Sequence, residues 1–143
     1  MPKYLSILLI LLLAACHKGD DAVLIEEPVL KKFEFHVHAG QPYTEPHYNG
    51  VTADVKLAVY KINYRNGQSQ LLWETAYAPR PLADYPHLPQ KFLIEKSWDV
   101  LESTEKLQAQ YTIRYQSPQG PTQEMRSEEL VPGDNFAFLD VDI

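Results

Sequence analysis

Cysteine is almost absent from this 143-residue sequence, in which Cys16 is the one example. A single thiol cannot form a disulfide within the chain, so the fold must rest on its hydrophobic core. Long apolar runs are also scarce. The longest, Leu5 to Leu13, precedes Cys16 and is interrupted only by Ser6. A membrane-spanning helix needs about 20 apolar residues, so this run is too short to span a bilayer.

The first 15 residues follow the order of a secretory signal peptide, with a positive Lys3, the apolar run and then small residues. The stretch Leu13-Ala14-Ala15-Cys16 resembles the lipobox of bacterial lipoproteins. The resemblance implies cleavage between Ala15 and Cys16 and a lipid on the Cys16 thiol. Residues 1–15 would then be a cleaved helical signal peptide, and residues 16–28 a lipidated tether. The alternative is an ordinary signal peptide that leaves Cys16 as a free thiol.

A lipid on Cys16 would hold the protein at a membrane without a spanning helix, since each buried CH₂ contributes about 0.8 kcal/mol. In the lipoprotein family, aspartate after the cysteine favours retention at the inner membrane. His17 stands there in this chain, which implies the outer membrane. Lys18, Asp20 and Asp21 resemble the export tag of surface lipoproteins, although Gly19 interrupts it. The periplasmic and the surface face both remain open.

Net charge excludes one class of partner. Without Lys3, 12 basic residues stand against 19 acidic ones, a net charge of −7. Such a chain repels phosphate backbones and anionic lipid, so we expect no nucleic-acid partner. The expected contacts are a membrane, through the lipid anchor, and another envelope protein.

Period-two alternation dominates residues 29–143 and predicts half-buried strands in one domain. Phe33, Phe35 and Val37 share one face of the first strand, whereas Glu34, His36 and His38 share the other. A change of parity near Tyr60 predicts a β-bulge. Asn66-Gly67 predicts a two-residue type I′ hairpin turn. Pro79, Pro81, Pro86 and Pro89 exclude a regular helix or a central strand from the segment they occupy.

Seven or eight strands with frequent turns predict an all-β fold, an antiparallel β-sandwich. A small β-barrel is the alternative. The strand LQAQYTIRY, residues 107–115, resembles the sixth strand of immunoglobulin-like and fibronectin type III domains. That resemblance implies that Tyr111 makes a corner hydrogen bond to the main chain. Residues 88–120 also resemble the later half of YbaY/YscW-type lipoproteins, small β-sandwich lipoproteins of which some act as pilotins.

Two groups of residues could bind a ligand. His36 and His38 lie two apart on one strand face and could share a metal, zinc being the expected ion. His47 or His87 could add a further ligand. The loops around residues 41–50 and 82–90 are rich in proline, tyrosine and histidine, and stiff tyrosine-rich loops suit recognition of a protein or a glycan. The candidate binding residues are Tyr43, His47, Tyr48, Tyr85 and His87. The alternatives are a solvated strand face and ordinary loop packing.

Motifs for catalysis are missing: the sequence has no Gly-x-Ser-x-Gly and no His-Glu-x-x-His. Asp99 and Glu102 are a carboxylate pair of the kind that a hydrolase uses, but acidic residues are common in exposed loops. We therefore expect a non-enzymatic, lipid-anchored envelope protein without a cofactor, which binds or supports another envelope component in a pilotin-like or structural role. The alternatives are a ligand- or metal-binding surface lipoprotein and a hydrolase with an unrecognised site.

Overall fold

The computed structural model describes residues 25–143. The predicted signal peptide, the cleavage site at Ala15 and Cys16, and most of the tether lie outside the described residues. Within them the chain forms seven strands: β1 (Val29–His38), β2 (Thr52–Asn63), β3 (Ser69–Pro81), β4 (Phe92–Val100), β5 (Glu105–Ser117), β6 (Gly120–Leu130) and β7 (Phe136–Asp142). Short 3₁₀ turns occupy Pro46–Tyr48 and Leu82–Asp84.

The strands form two sheets that pack as a β-sandwich, the first of the two folds predicted. One sheet has the order β4-β1-β7 and the other the order β3-β2-β5-β6. The expectation of a purely antiparallel fold is wrong at one pair, because β1 and β7 run parallel. Parallel neighbours need a long crossover connection. Here the whole second sheet lies between β1 and β7 in the chain, so β7 returns to β1 in the same direction.

The core lies between the two sheets and follows the predicted alternation. Phe33, Phe35 and Val37 of β1 are completely buried. On β7, Leu139 and Val141 are buried, whereas Asp140 and Asp142, which alternate with them, are exposed. The second sheet contributes mainly aliphatic side chains from β2 and β5: Val55, Leu57, Val59, Leu107 and Ile113. The hydrophobic effect on this single core replaces the missing disulfides.

Two local predictions have different outcomes. The bulge near Tyr60 is confirmed by a register shift between Val59 and Tyr60 in the β2–β3 pairing. The prediction of a two-residue type I′ turn is wrong. The loop is longer, because Asn63 and Gln68 close it, and only Gly67 has a positive φ, of 67°. The side chain of Asn66 instead accepts a hydrogen bond from the Gln68 N–H at 2.9 Å. Asparagine therefore stabilises the turn through its side chain rather than through a left-handed backbone.

Proline marks the outer strands of the larger sheet. Pro79 and Pro81 lie in β3 and Pro121 lies in β6, which are the two edge strands. Proline has no N–H to donate, so an edge strand tolerates it and a central strand does not. The prediction that residues 79–81 avoid a central strand is confirmed, although β3 extends further into the proline-rich segment than the sequence indicated.

The implied corner role of Tyr111 is not seen. Its ring is buried in β5, yet within the described residues its hydroxyl makes no hydrogen bond to the main chain. The fully buried tyrosine that does so is Tyr85, whose hydroxyl donates to the Ala53 carbonyl at 2.9 Å. Tyr111 instead lines a cleft between the edges of β6 and β7.

Candidate ligand-binding cleft

The two tyrosine-rich loops meet at one end of the sandwich. The Ala39 N–H donates to the Pro86 carbonyl at 2.8 Å, which joins the end of β1 to the second loop. The Leu82 N–H donates to the Val51 carbonyl at 3.4 Å, which joins the second loop to the first. We call this the cleft end; it is the end at which β1 finishes and β2 begins.

Gly40 lets the first loop leave β1 at this end. A Cβ on Gly40 would lie 2.1 Å from Oδ1 of Asp142. The Gly40 N–H also donates to the Ile143 oxygen at 3.3 Å, and the Tyr43 hydroxyl donates to the same oxygen. A larger residue at this position would require the Asp142 side chain or the loop to shift, which glycine avoids. The loop is therefore tied to β7 at both Gly40 and Tyr43.

One wall of the cleft carries three of the predicted binding residues. The rings of Tyr43 and Tyr48 meet almost at right angles with centroids 4.8 Å apart. The His47 ring lies 3.8 Å from that of Tyr48. Nε2 of Gln41 donates to the Tyr48 hydroxyl at 2.6 Å. Pro42 and Pro46 flank these residues and restrict the backbone, so the wall is largely preorganised.

The other wall comes from the hairpin that joins β5 to β6. Tyr115 lies opposite Thr122 in the β5–β6 register, and Ser117 bonds to the Gly120 carbonyl at the turn. Together the two walls enclose a cavity of about 430 Å³. The residues that line it are Gln41, Tyr43, His47, Tyr48, Val51, Leu82, Tyr115, Ser117, Gln119 and Thr122.

Two tyrosine hydroxyls in the cleft, those of Tyr43 and Tyr115, are protonated at neutral pH. Burial raises the pKa of Tyr43 above its ordinary value, and the nearby Asp142 carboxylate raises it further. Burial also raises the pKa of Tyr115 to about 12. A phenol that keeps its proton can both donate and accept a hydrogen bond. Both groups are thus neutral donor–acceptor groups in the cleft.

The second predicted loop lines the cleft only through Leu82 and otherwise supports it from beneath. Tyr85 is buried beneath it, and burial raises the pKa of its hydroxyl to about 12. The Arg80 guanidinium lies over the Tyr85 ring at 5.4 Å. His87 is exposed, and its main chain forms a bridge with Ala39. Of the five predicted binding residues, Tyr43, His47 and Tyr48 line the cleft, whereas Tyr85 and His87 do not.

His36 and His38 belong to β1 of the smaller sheet and do not line the cleft. Nδ1 of His36 is 3.3 Å from Oδ1 of Asp140, and Nε2 of His38 is 3.9 Å from the same oxygen. Nε2 of His36 also lies 3.3 Å from Glu34, and its ring stacks on Phe138. His38 is buried rather than solvated. Across residues 25–143, no group of three or more His, Cys, Asp or Glu side chains is arranged to hold a metal ion.

The carboxylate pair considered for a hydrolase does not share a pocket. Asp99 is exposed on β4. Glu102 forms an ion pair with the completely buried Lys31 at 2.6 Å and accepts the Gly133 N–H at 2.9 Å. These contacts hold the pKa of Glu102 below its usual range, the Lys31 hydrogen bond being the main cause. Glu102 therefore has a structural role at the end of the sandwich opposite the cleft.

Sequence reasoning missed the β5–β6 wall and Lys31. The SPQGP turn between β5 and β6 drew no attention in the sequence, although its Ser117 and Gln119 line the cleft. Lys31 lies two residues before Phe33, so period-two alternation places it on the inward face. Burial of Lys31 was not predicted from this alternation, because a charged residue is rarely buried unless it is paired.

Comparison of the chain with protein-family models, with curated proteins and with solved structures found no match. Between residues 25 and 143, no helix is long and apolar enough to cross a membrane. The fold and the site together define the class of protein: a β-sandwich protein with an open, tyrosine-lined cleft at one end.

Proposed function

We propose that the protein is a non-enzymatic, lipid-anchored protein of the bacterial cell envelope that binds or supports another envelope component. The lipobox-like Leu13-Ala14-Ala15-Cys16 supports the anchor, and His17, in place of an aspartate after the cysteine, supports the outer membrane as its location. The observation that carries the binding role is the preorganised cleft, in which Tyr43 and Tyr48 face Tyr115 across about 430 Å³.

The direction of the chain supports this arrangement. The tether enters β1 at Val29, and the cleft lies beyond the other end of β1. Ten residues of strand span about 33 Å. Glu26, the tether residue that bonds to Ser103 N–H at 2.8 Å, lies at the entry end as well. A lipid on Cys16 would therefore be joined to the domain at the end opposite the cleft, so the attachment itself does not cover the cleft.

The test compares three forms of the full chain in cells by crosslinking, affinity purification and mass spectrometry. These are the unchanged protein, Cys16→Ala with an ordinary cleavable signal peptide, and Tyr48→Ala with the anchor intact. We expect one envelope component to be enriched with the unchanged protein and lost with both variants. Labelling with a palmitate analogue should mark the unchanged protein and Tyr48→Ala but not Cys16→Ala.

Two results would refute the proposal in different ways. Lipid labelling that persists in Cys16→Ala would show that Cys16 is not the lipid attachment site. If the unchanged protein is labelled but no envelope component is enriched with it, the binding role is refuted and only the lipid anchor is supported.

A further inference from the structure

We propose that the cleft binds a neutral saccharide, an inference that rests on the proposed binding role and names its ligand. The first argument is charge. None of the ten residues that line the cleft is Asp, Glu, Lys or Arg, although these make up 22% of the sequence. Burying a charged ligand without a counter-charge is costly, so an uncharged lining selects an uncharged ligand.

Two carboxylates lie near the cleft, but neither lines it. Glu45 lies next to the cleft and its carboxylate is 3.2 Å from Nδ1 of His47. Asp142 lies behind the loop, against Gly40. Neither carboxylate lines the cavity, so the cleft is an uncharged surface on an acidic protein.

The second argument is the kind of polar group. Sugar hydroxyls both donate and accept hydrogen bonds, and a matching site needs groups that do the same. Tyr43, Tyr48 and Tyr115 supply phenols, Ser117 and Thr122 supply hydroxyls, and Gln41 and Gln119 supply amides. All of these side chains can act as donor and acceptor without a change of charge.

The third argument is shape. The nearly perpendicular rings of Tyr43 and Tyr48 present both a face and an edge. Aromatic faces carry partial negative charge and attract the C–H groups of a sugar ring. The volume of about 430 Å³ lies within the range of small-molecule sites, about 300–1,000 Å³, and suits a short oligosaccharide.

The cleft between β6 and β7 provides a contrast. Its volume is about 270 Å³, and Arg126, Glu128 and Asp140 line it. A charged, smaller cleft at a strand edge does not have the chemistry of a neutral sugar site. The uncharged tyrosine cleft is therefore the site to test.

Isothermal titration calorimetry on the full-length chain provides the test. The detergent must have a polyoxyethylene headgroup, because a sugar headgroup would compete for the cleft. The probes are chitotetraose, for the N-acetyl amino sugars of peptidoglycan, cellotetraose and maltotetraose, for unsubstituted glucans, and tetragalacturonic acid as the charged probe. We expect at least one neutral tetrasaccharide to bind and the charged probe to bind more weakly.

Variants locate the binding. Tyr48→Ala should weaken it by about tenfold or more, through loss of ring contact and hydroxyl. Gln119→Ala, at an exposed turn position, should weaken it by about threefold. Tyr64→Ala removes an exposed tyrosine beyond the other end of β2 and should leave binding unchanged, as should Cys16→Ala. Near-UV circular dichroism checks that each variant is folded.

The outcomes separate the ligand sources and the two proposals. Binding of chitotetraose alone indicates peptidoglycan chemistry, and binding of a glucan alone indicates an unsubstituted glucan; either supports the inference. The inference is overturned if no neutral tetrasaccharide binds or if tetragalacturonic acid binds more tightly than the neutral probes. It is also overturned if Tyr48→Ala and Gln119→Ala bind the neutral probe as tightly as the unchanged protein does. Such a result leaves anchoring intact if Cys16 is still labelled in cells.

Discussion

The two ends of the sandwich are finished in opposite ways. At the end where β1 begins, the buried Lys31 ammonium donates to the carbonyls of Val131 and Asp134 at 2.9 and 2.7 Å and pairs with Glu102. At the cleft end, uncharged tyrosines and amides surround an open cavity. We call the first the lysine end. One end uses charge to close the fold, and the other avoids charge and stays open.

The difference shows how one small core can serve stability and binding at once. The lysine end ties the β4–β5 turn and the β6–β7 turn to β1 through a single side chain. A buried charge persists only when its donors are satisfied, and here the three partners lie on two different turns. The cleft end holds its loops by main-chain hydrogen bonds and by the Tyr43 and Gln41 side chains, and it leaves a cavity between them. Loops on a rigid scaffold commonly carry function in this way.

The largest expected effect is at the lysine end. Lys31→Ala should lower the free energy of unfolding by about 3 kcal/mol, because two carbonyls and Glu102 lose their donor. Urea denaturation followed by circular dichroism measures it. Lys56→Ala, which removes the exposed Lys56–Glu74 ion pair, is the matched control and should cost less than about 1 kcal/mol. If both variants lose the same unfolding free energy, the buried Lys31 contacts contribute no more to stability than an exposed ion pair does.

Beneath the cleft end, Tyr85→Phe should destabilise the fold by about 1.5 kcal/mol. The change leaves the Ala53 carbonyl without its tyrosine donor in a buried site. Tyr48→Phe removes a hydroxyl from the half-exposed cleft and should change the free energy of unfolding by less than about 0.5 kcal/mol. Urea denaturation measures both losses of unfolding free energy, and their difference distinguishes a tyrosine that supports the fold from one that lines the cleft. A larger loss in Tyr48→Phe than in Tyr85→Phe would reverse these roles.

Gly40→Ala should cost about 1 kcal/mol, since the new Cβ displaces the Asp142 carboxylate or the loop. The double variant Gly40→Ala with Asp142→Ala should recover most of that loss, because the clashing carboxylate is gone. A double-mutant cycle of unfolding free energies measures this coupling. Additive losses would place the strain in the backbone instead of the carboxylate.

The smallest expected effects are on pH dependence, and the two ends should respond at opposite extremes. The pKa of Glu102 is lowered in the fold, so its stabilisation is present above about pH 4.5 and is lost as pH falls through the lowered pKa. The pKa values of Tyr85 and Tyr115 are raised to about 12, so stability falls as pH rises from about 10 to about 12. Glu102→Gln should flatten only the acid limb of the stability curve.

Unfolding free energies across pH measure the acid limb, and absorbance of tyrosinate at alkaline pH follows the other. Tyr85→Phe should remove part of the late alkaline titration without changing the acid limb. If Glu102→Gln changed the alkaline limb instead, the assignment of the two limbs to the two ends would be wrong.

The strands could be read from the sequence because their cause is local. Alternation in β1 and β7 follows from side chains that point to opposite faces at every step. Edge positions could be inferred from Pro79 and Pro81, since proline removes a donor that a central strand needs. The Asn66-Gly67 turn was misread because a dipeptide is compatible with loops of more than one length, and the pairing of Asn63 with Gln68 selected the longer one.

The candidate cleft was half predictable. The first loop drew attention through Tyr43, His47 and Tyr48, whose composition suits recognition. The facing wall did not, because Tyr115 and Thr122 are ordinary strand residues until β5 and β6 are placed beside that loop. Tyr85 drew attention for the right composition, yet its neighbours bury it. Composition marks a loop as interesting, but only packing decides which of its side chains face solvent.

The sequence by itself determined the all-β class, the inward faces, the proline-bearing edges and the acidic surface, because each depends on residues near one another in the chain. The tertiary structure decided the parallel pairing of β7 with β1, the burial of Lys31 between two distant turns, and the meeting of the first loop with the β5–β6 hairpin. Those features join residues far apart in sequence, where free energy depends on the packing of whole strands and no local pattern records the partner.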